Sequence, residues 1–259
     1  MAQGFAELLM YVSPERVAKA QSRWLSRVLE ILGHEQLDAA GLDLHGLWRS
    51  PQLLLTQTCG YPLMTALRGL VQVVGRPVYE LPHAREGLHC SLLVARADDS
   101  RRQLADFRGS RGLINSPDSN SGMNLLRHAV APLQKNGRFF ETLSVTGGHR
   151  NSLAAIKQGR GDLAAIDSVT FDYLARDASE EVAGLKVIGR TAAGPCLPYI
   201  TRLGADGEGI RRAMNQALRD LPGVAAVLAI SEVLPASETD YQVLLDYQRE
   251  ALDLGFDLP

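Results

Sequence analysis

The chain has 259 residues, with 27 basic against 29 acidic side chains and a formal net charge of −2. Hydrophobic residues make up 46% and charged ones 22%, which excludes a disordered or low-complexity chain and allows one large domain or two small ones. A near-neutral balance lacks the basic footprint of a nucleic-acid binder, so no nucleic-acid partner is expected and any bound anion must be held by local geometry.

At the start, Met1-Ala2-Gln3-Gly4 has no basic stretch and residues 5–12 are interrupted by Glu7, so no signal peptide is read. The expected location is periplasmic if an export signal has been removed and cytoplasmic otherwise. Apolar runs such as residues 223–230 fall far below the ~20 residues of a membrane span, and no membrane insertion is expected. Cys59, Cys90 and Cys196 are widely spaced, without C-x-x-C or zinc-type pairing, and read as small buried residues. No metal and no cofactor are expected.

Residues 6–12 (AELLMYV) read as a short buried strand. Ser13-Pro14-Glu15 then starts a helix: Ser can cap, Pro suits the first turn and Glu favours the positive helix end. Val17, Trp24, Val28, Ile31 and Leu32 continue it at helical spacing to a stop at Gly33. Residues 52–58 are a second strand, followed by the turn Cys59-Gly60-Tyr61-Pro62 and a helix over 63–69. Strands are expected at 71–74 and 90–96, and the polar stretch 97–102 reads as a crossing between domains.

Beyond it the spacing predicts a strand at 112–115, a polar loop at 116–122 and a helix over 123–133. Strands follow at 141–145, 163–166 and 185–189, with helices over 150–158 and 169–175. This alternation predicts parallel βαβ units, hence an α/β fold. Residues 195–202 return the chain to the first lobe, and helices are expected over 209–221 and 241–254. The expected division is 1–96 with 197–259 as a discontinuous first lobe and 97–196 as the second.

Several strand-to-helix turns carry small polar residues: Ser119-Asn120-Ser121-Gly122, Gly147-Gly148-His149, Asp167-Ser168 and Cys59-Gly60-Tyr61. In an open α/β sheet such turns lie at the carboxyl ends of the strands, where ligands bind. Helix starts there offer unpaired N–H groups and partial positive charge, suited to a small oxyanion. Each feature also has a plainer reading. Ser119 to Gly122 can be an N-cap loop, His149 a surface residue, Asp167 a cap and Tyr11 a sheet-edge aromatic. Arg101, Arg102, Arg150, Arg160 and Arg190 read as solvated or paired, with Arg150 the one candidate for an extra anion contact.

The segments LADFRGSRGLINSPDSNSGMNLLR (104–127), VTGGHRNSLAAIKQGRGDLAAIDSVTFDYL (145–174) and TAAGPCLPYITR (191–202) resemble the phosphonate-binding proteins of ABC transporters. The clear similarity covers about 100 residues of the 259. It implies a two-lobe type II periplasmic-binding-protein fold with a ligand cleft between the lobes. It also implies a binding protein, not an enzyme, that takes a phosphonate, phosphate or phosphite-like ion for an ABC permease or a sensor. A monomer or weak dimer is the expected state. By this resemblance Ser119, Asn120 and Ser121 hold the oxyanion and His149 adds a hydrogen bond. Tyr11, Cys59, Gly60 and Tyr61 close the site from the first lobe, with Asp167 and Ser168 beside it. Where the family places acids for a ligand ammonium, this chain has Val169 and Leu197. A second reading is a cytoplasmic enzyme on the same fold, with His149 and Asp167 in acid–base steps. A regulator's effector lobe is a third, which lacks a preceding helix-turn-helix.

Overall fold

The computed structural model describes residues 2–258. They form two compact units. One takes the chain up to Leu88 together with Pro195–Tyr241, the other His89–Gly194 together with the chain from Gln242 on.

The first unit is built on a six-stranded mixed sheet. Its strands run in the order Ile230–Leu234, Val71–Tyr79, Tyr199–Arg202, Leu53–Gln57, Ala2–Glu7 and His34–Gln36. The last three are parallel, whereas Tyr199–Arg202 pairs antiparallel with both its neighbours. The helix Glu15–Leu32 buries Val17, Ala20, Trp24, Leu25, Val28 and Leu29 on one stripe and ends at Gly33 in the left-handed region, which glycine adopts without strain. It packs on the helix Gly207–Asp220, where Ile210, Met214, Ala217 and Leu218 are buried. Trp24 is fully enclosed, donates Nε1–H to Met214 O at 3.1 Å and meets the Tyr199 ring edge-on.

The second unit holds a five-stranded sheet in the order Leu185–Arg190, Ser91–Arg96, Leu163–Asp167, Arg111–Ile114, Thr142–Val145. The last three are mutually parallel, and Ser91–Arg96 runs antiparallel to both of its neighbours. Leu92, Val94, Leu113, Leu153, Ile156, Ala164, Ile166 and Leu174 form its core.

Several boundaries differ from the sequence expectation. The first strand is Ala2–Glu7, not 6–12. Ladder pairing with His34–Gln36 and Leu53–Gln57 fixes it there, and Leu9 and Val12 leave the sheet and are exposed. The short helix after the second strand is Gly60–Met64, not 63–69, because Cys59 is its N-cap; Pro62 falls at the third helical position, where no intrahelical N–H bond is lost. The helix expected over 123–133 starts at Asn120 with a wide π turn, Asn120–Asn124, before Leu125–Val130. Both of these sheets are mixed, and the expected parallel units are three neighbouring strands in each.

The division of the chain also differs. The polar stretch 97–102 is a loop inside the second unit, tied by Arg96 to Asp98 and by Arg101 to Asp99, and the chain crosses instead at Leu88/His89. The strand Ser91–Arg96 is buried along most of its length inside the second sheet and cannot belong elsewhere. The last helix, Gln242–Asp253, belongs to the second unit. There Leu244 O accepts from Asn124 Nδ2, and Glu250 pairs with His128. The elements His34–Gln36, Leu44–Trp48, Pro222–Leu228 and Ile230–Leu234 carried no expectation.

Candidate functional site

The expected residues fall in two groups, one in each unit. In the first unit, Ala2–Glu7 and Leu53–Gln57 are parallel neighbours, so the chain leaves both at the same end of the sheet. Tyr11 follows the first strand. It is buried, with its ring edge-on to Tyr79 at 6.1 Å. Cys59, Gly60 and Tyr61 follow the second strand as N-cap and first turn of Gly60–Met64, and all three are buried. Thr58 N–H donates to Pro198 O and Gln57 Nε2 to Leu197 O, which anchors the turn to the returning chain.

In the second unit three parallel strands, Leu163–Asp167, Arg111–Ile114 and Thr142–Val145, end side by side, and each feeds a polar helix start. The first start is Asp167, the N-cap of Ser168–Asp177. The second is the Ser119–Ser121 turn, and the third is His149 opening the helix His149–Lys157. Strand ends and helix starts thus converge at one edge, as expected of a ligand site in an open α/β sheet.

The contacts within that edge are specific. Ser119 caps its own turn, its Oγ accepting the Gly122 N–H at 3.0 Å. Ser121 Oγ lies 2.9 Å from His149 Nε2 and so joins two helix starts. Gly122 makes this approach possible: a Cβ there would fall 1.8 Å from Asn115 Oδ1 and 3.2 Å from the His149 ring. His149 Nδ1 is enclosed and has no hydrogen-bond partner among the described residues. Asp167 Oδ1 accepts the Thr170 N–H, and Asp167 Oδ2 lies 3.1 Å from Nδ1 of the fully buried His89. Ser168 Oγ accepts the Cys90 N–H at 3.3 Å, so this hydroxyl serves the neighbouring strand.

Burial and neighbouring groups together set the charge states. It holds the His149 imidazolium below its ordinary pKa, assisted by His89 and opposed by Asp167, so His149 is neutral near pH 7. Burial alone would raise the Asp167 carboxyl. The hydrogen bond and charge of His89, with His149 and the Thr170 N–H, outweigh it and keep Asp167 below the usual carboxylate range. Burial pushes the Cys90 thiol up, which leaves it protonated and unreactive.

His89, Ser91 and Thr191 are site-edge residues that the sequence reading missed. Ser91 Oγ donates to Ser121 O at 2.8 Å, and Thr191 Oγ1 accepts the Ser91 N–H at 2.9 Å. The signal was present as the polar pair flanking Cys90 at a strand start, but only the tertiary pairing with Asp167 and Ser121 gives it meaning. Arg150, considered as an anion contact, is committed elsewhere: it makes two 2.7 Å hydrogen bonds to Glu181. Among the described residues no group of three His, Cys, Asp or Glu side chains is placed to hold a metal ion, and no helix is long and apolar enough to cross a membrane.

Two α/β units with polar helix starts gathered at strand ends define the class of two-lobe, periplasmic-binding-protein-like solute binders. The chain belongs to the family of phosphonate ABC-transporter periplasmic substrate-binding proteins, whose sequence profile matches residues 51–241. No curated protein matches it in a sequence search. Its fold is similar to the binding-protein component of an ABC phosphonate transporter from Pseudomonas aeruginosa, at 18% identity and TM-score 0.75, covering 98% of this chain and 89% of that one. It is equally similar to PhnD1 of Prochlorococcus marinus, solved with methylphosphonate, at 12% identity and TM-score 0.75, covering 97% and 98%. The alkanesulfonate-binding protein SsuA of Xanthomonas axonopodis pv. citri, solved with MOPS, matches at 19% identity and TM-score 0.60, covering 95% and 84%. The family is one of substrate-binding proteins rather than enzymes.

Proposed function

We propose that the protein captures a small phosphorus oxyanion, with Ser119, Asn120, Ser121 and His149 as its donors, and delivers it to an ABC permease. The observation that carries this reading is the 2.9 Å contact between Ser121 Oγ and His149 Nε2, which brings two polar helix starts to one point. An oxyanion there meets N–H groups at the head of a helix, which have no intrahelical partner, together with hydroxyl and amide donors. A neutral His149 still donates from one ring nitrogen. No covalent step is required: binding exchanges water for fixed donors.

The ligand carries no ammonium in this reading. Val169 is fully buried and apolar, and Leu197, in the first unit, is a buried apolar residue too. Methylphosphonate, phosphite and phosphate are therefore better candidates than an aminoalkyl phosphonate. Asp167 and Ser168 accept the Thr170 and Cys90 N–H groups, and Tyr11, Cys59, Gly60 and Tyr61 lie together at one sheet end of the first unit.

A thermal-shift and calorimetric panel tests this, using methylphosphonate, aminoethylphosphonate, phosphite, phosphate and sulfate on protein unfolded and refolded to strip carried-over ligand. A ligand at about 100 times its Kd adds roughly 2.7 kcal/mol of stability. A shift with one phosphorus oxyanion, lost in Ser121→Ala/His149→Ala, is the expected result. A flat response across the panel overturns the reading.

A further inference from the structure

Behind the Ser119–Ser121 turn lies a chain of buried polar side chains that the family match does not assign. Arg127, in the helix Leu125–Val130, is only 3% exposed. Its Nη2 donates to Asn124 Oδ1 at 2.6 Å and its Nη1 to Asp257 Oδ1 at 3.0 Å. Asn124, fully buried, donates from Nδ2 to Asn120 Oδ1 at 3.2 Å and to Leu244 O at 2.9 Å.

The direction of this chain is fixed by chemistry. A guanidinium has five donors and no acceptor, so the Asn124 atom it touches must be the amide oxygen. The Leu244 carbonyl can only accept, so the Asn124 atom facing it must be the amide nitrogen. Two independent partners thus agree on one orientation of Asn124. Its nitrogen then faces Asn120, whose oxygen must turn toward it, and the N–H2 end of Asn120 is the end this chain presents. An oxyanion only accepts hydrogen bonds, so this is the orientation it requires. Each bond in such a series also polarises the next.

We propose that Arg127 is a positioning residue of the oxyanion site, acting through Asn124 to hold the Asn120 amide with its N–H2 end presented to the ligand. The proposal rests on the oxyanion reading above. Without the guanidinium only the Leu244 carbonyl orients Asn124, so Asn124 and Asn120 are held less firmly and the Asn120 oxygen faces the anion in part of the population. Arg127 touches no ligand in this arrangement. It supplies the polarity that a side-chain amide lacks on its own.

The test is a set of variants of the full chain, each measured well below its unfolding temperature. With methylphosphonate as probe, Arg127→Met is expected to raise Kd about 10-fold, and Arg127→Lys, which still donates, to recover most of that loss. Asn124→Asp, which cannot donate to Asn120, is expected to behave like Arg127→Met and serves where that variant folds poorly. Once Asn120 is replaced by Ala, adding Arg127→Met is expected to change Kd no further. A wild-type Kd in Arg127→Met, or effects of the two substitutions that simply multiply, overturns the proposal, since a merely structural role lowers stability without coupling to Asn120. A second readout needs no ligand: the side-chain amide resonances of Asn120, identified by their loss in Asn120→Asp, are expected to move in Arg127→Met and to return in Arg127→Lys. If the wild-type protein binds no member of the oxyanion panel, the functional reading fails. The relay is then judged on that spectrum alone, where an Asn120 amide unmoved by Arg127→Met overturns it.

Discussion

Ser121 Oγ and His149 Nε2 stand 2.9 Å apart although 28 residues separate them in the chain. The two strands that feed them, Arg111–Ile114 and Thr142–Val145, are parallel neighbours in register from Arg111↔Thr142 to Ile114↔Val145. The chain therefore leaves both at the same height, and the two helices begin side by side. Hydrogen bonds to a charged group contribute about 1.5–3 kcal/mol each, so Ser121→Ala or His149→Ala should weaken oxyanion binding by roughly 10- to 100-fold. Because the two residues share one hydrogen bond, the double variant should lose less than the product of the single losses. Calorimetric titration of the four proteins checks both points, and unchanged affinity in either single variant removes that residue from the site.

His149 also links the site to pH. Burial, together with His89 and against Asp167, keeps its folded-state pKa below the ordinary value of 6.5. Below pH 6.5 the unfolded chain takes up a proton at this position before the folded one does. Stability contributed by the neutral ring is thus complete above that value and falls as the pH drops toward the folded-state pKa. The urea midpoint should fall between pH 7 and pH 5 in the wild type, and less steeply in His149→Gln. Parallel pH profiles of the two proteins would assign the acid sensitivity to other groups.

Much of this was legible because the turns advertise themselves. Ser119, Asn120, Ser121 and Gly122 are a cap followed by small donors, and alternating apolar runs around them mark strands that must be parallel. The plainer readings were partly right as well: Ser119 and Asp167 are both N-caps, accepting N–H groups from Gly122 and Thr170. What was not legible depends on contacts distant in sequence. The pairing of His89 with Asp167 spans 78 residues, and nothing local to His89 announces it. The last helix looked like a return to the first lobe, yet Asn124, Arg127 and His128 hold that part of the chain against the second unit. The run 6–12 resembled a strand by composition, but the ladder stops at Glu7.

In the first unit, stability should hinge on Trp24. It is completely enclosed, stacks edge-on against Tyr199 at 5.7 Å and spends its indole N–H on the Met214 carbonyl. Trp24→Ala should cost about 3–5 kcal/mol, the range for truncating a large buried aromatic. Trp24→Phe keeps most of the packing and loses the hydrogen bond, and should cost less. Equilibrium urea unfolding gives both values, and a Trp24→Ala variant as stable as the wild type would mean that the helix Glu15–Leu32 is held chiefly by its other apolar contacts.

Asp99 offers a second pH window, far from that of His149. Its hydrogen bonds to Arg101, foremost the 2.6 Å contact from Nη2, lower its pKa from 3.8 to about 2. The stability this contributes is complete above pH 3.8 and is lost as the pH falls toward 2. With solvent screening at the surface it amounts to about 1 kcal/mol. Asp99→Asn should show a smaller acid loss than the wild type between pH 4 and pH 2.5, and identical acid profiles would mean that Arg101 gives Asp99 no net stabilisation.

Gly122 gives the sharpest steric prediction at the site. A methyl group at this position would lie 1.8 Å from Asn115 Oδ1 and 3.2 Å from His149 Cε1, so either the turn or both neighbours must move. Gly122→Ala should destabilise by about 1–3 kcal/mol, the usual cost of overpacking. It should also weaken oxyanion binding, because the displaced atoms include the His149 ring. Asn115→Gly in the same chain removes the closer obstacle and should restore part of the stability while leaving the contact with His149. Thermal unfolding and methylphosphonate titration of the single and double variants separate the two effects. If the double variant regains stability but not affinity, the approach of His149 to the Ser121 turn is what Gly122 protects.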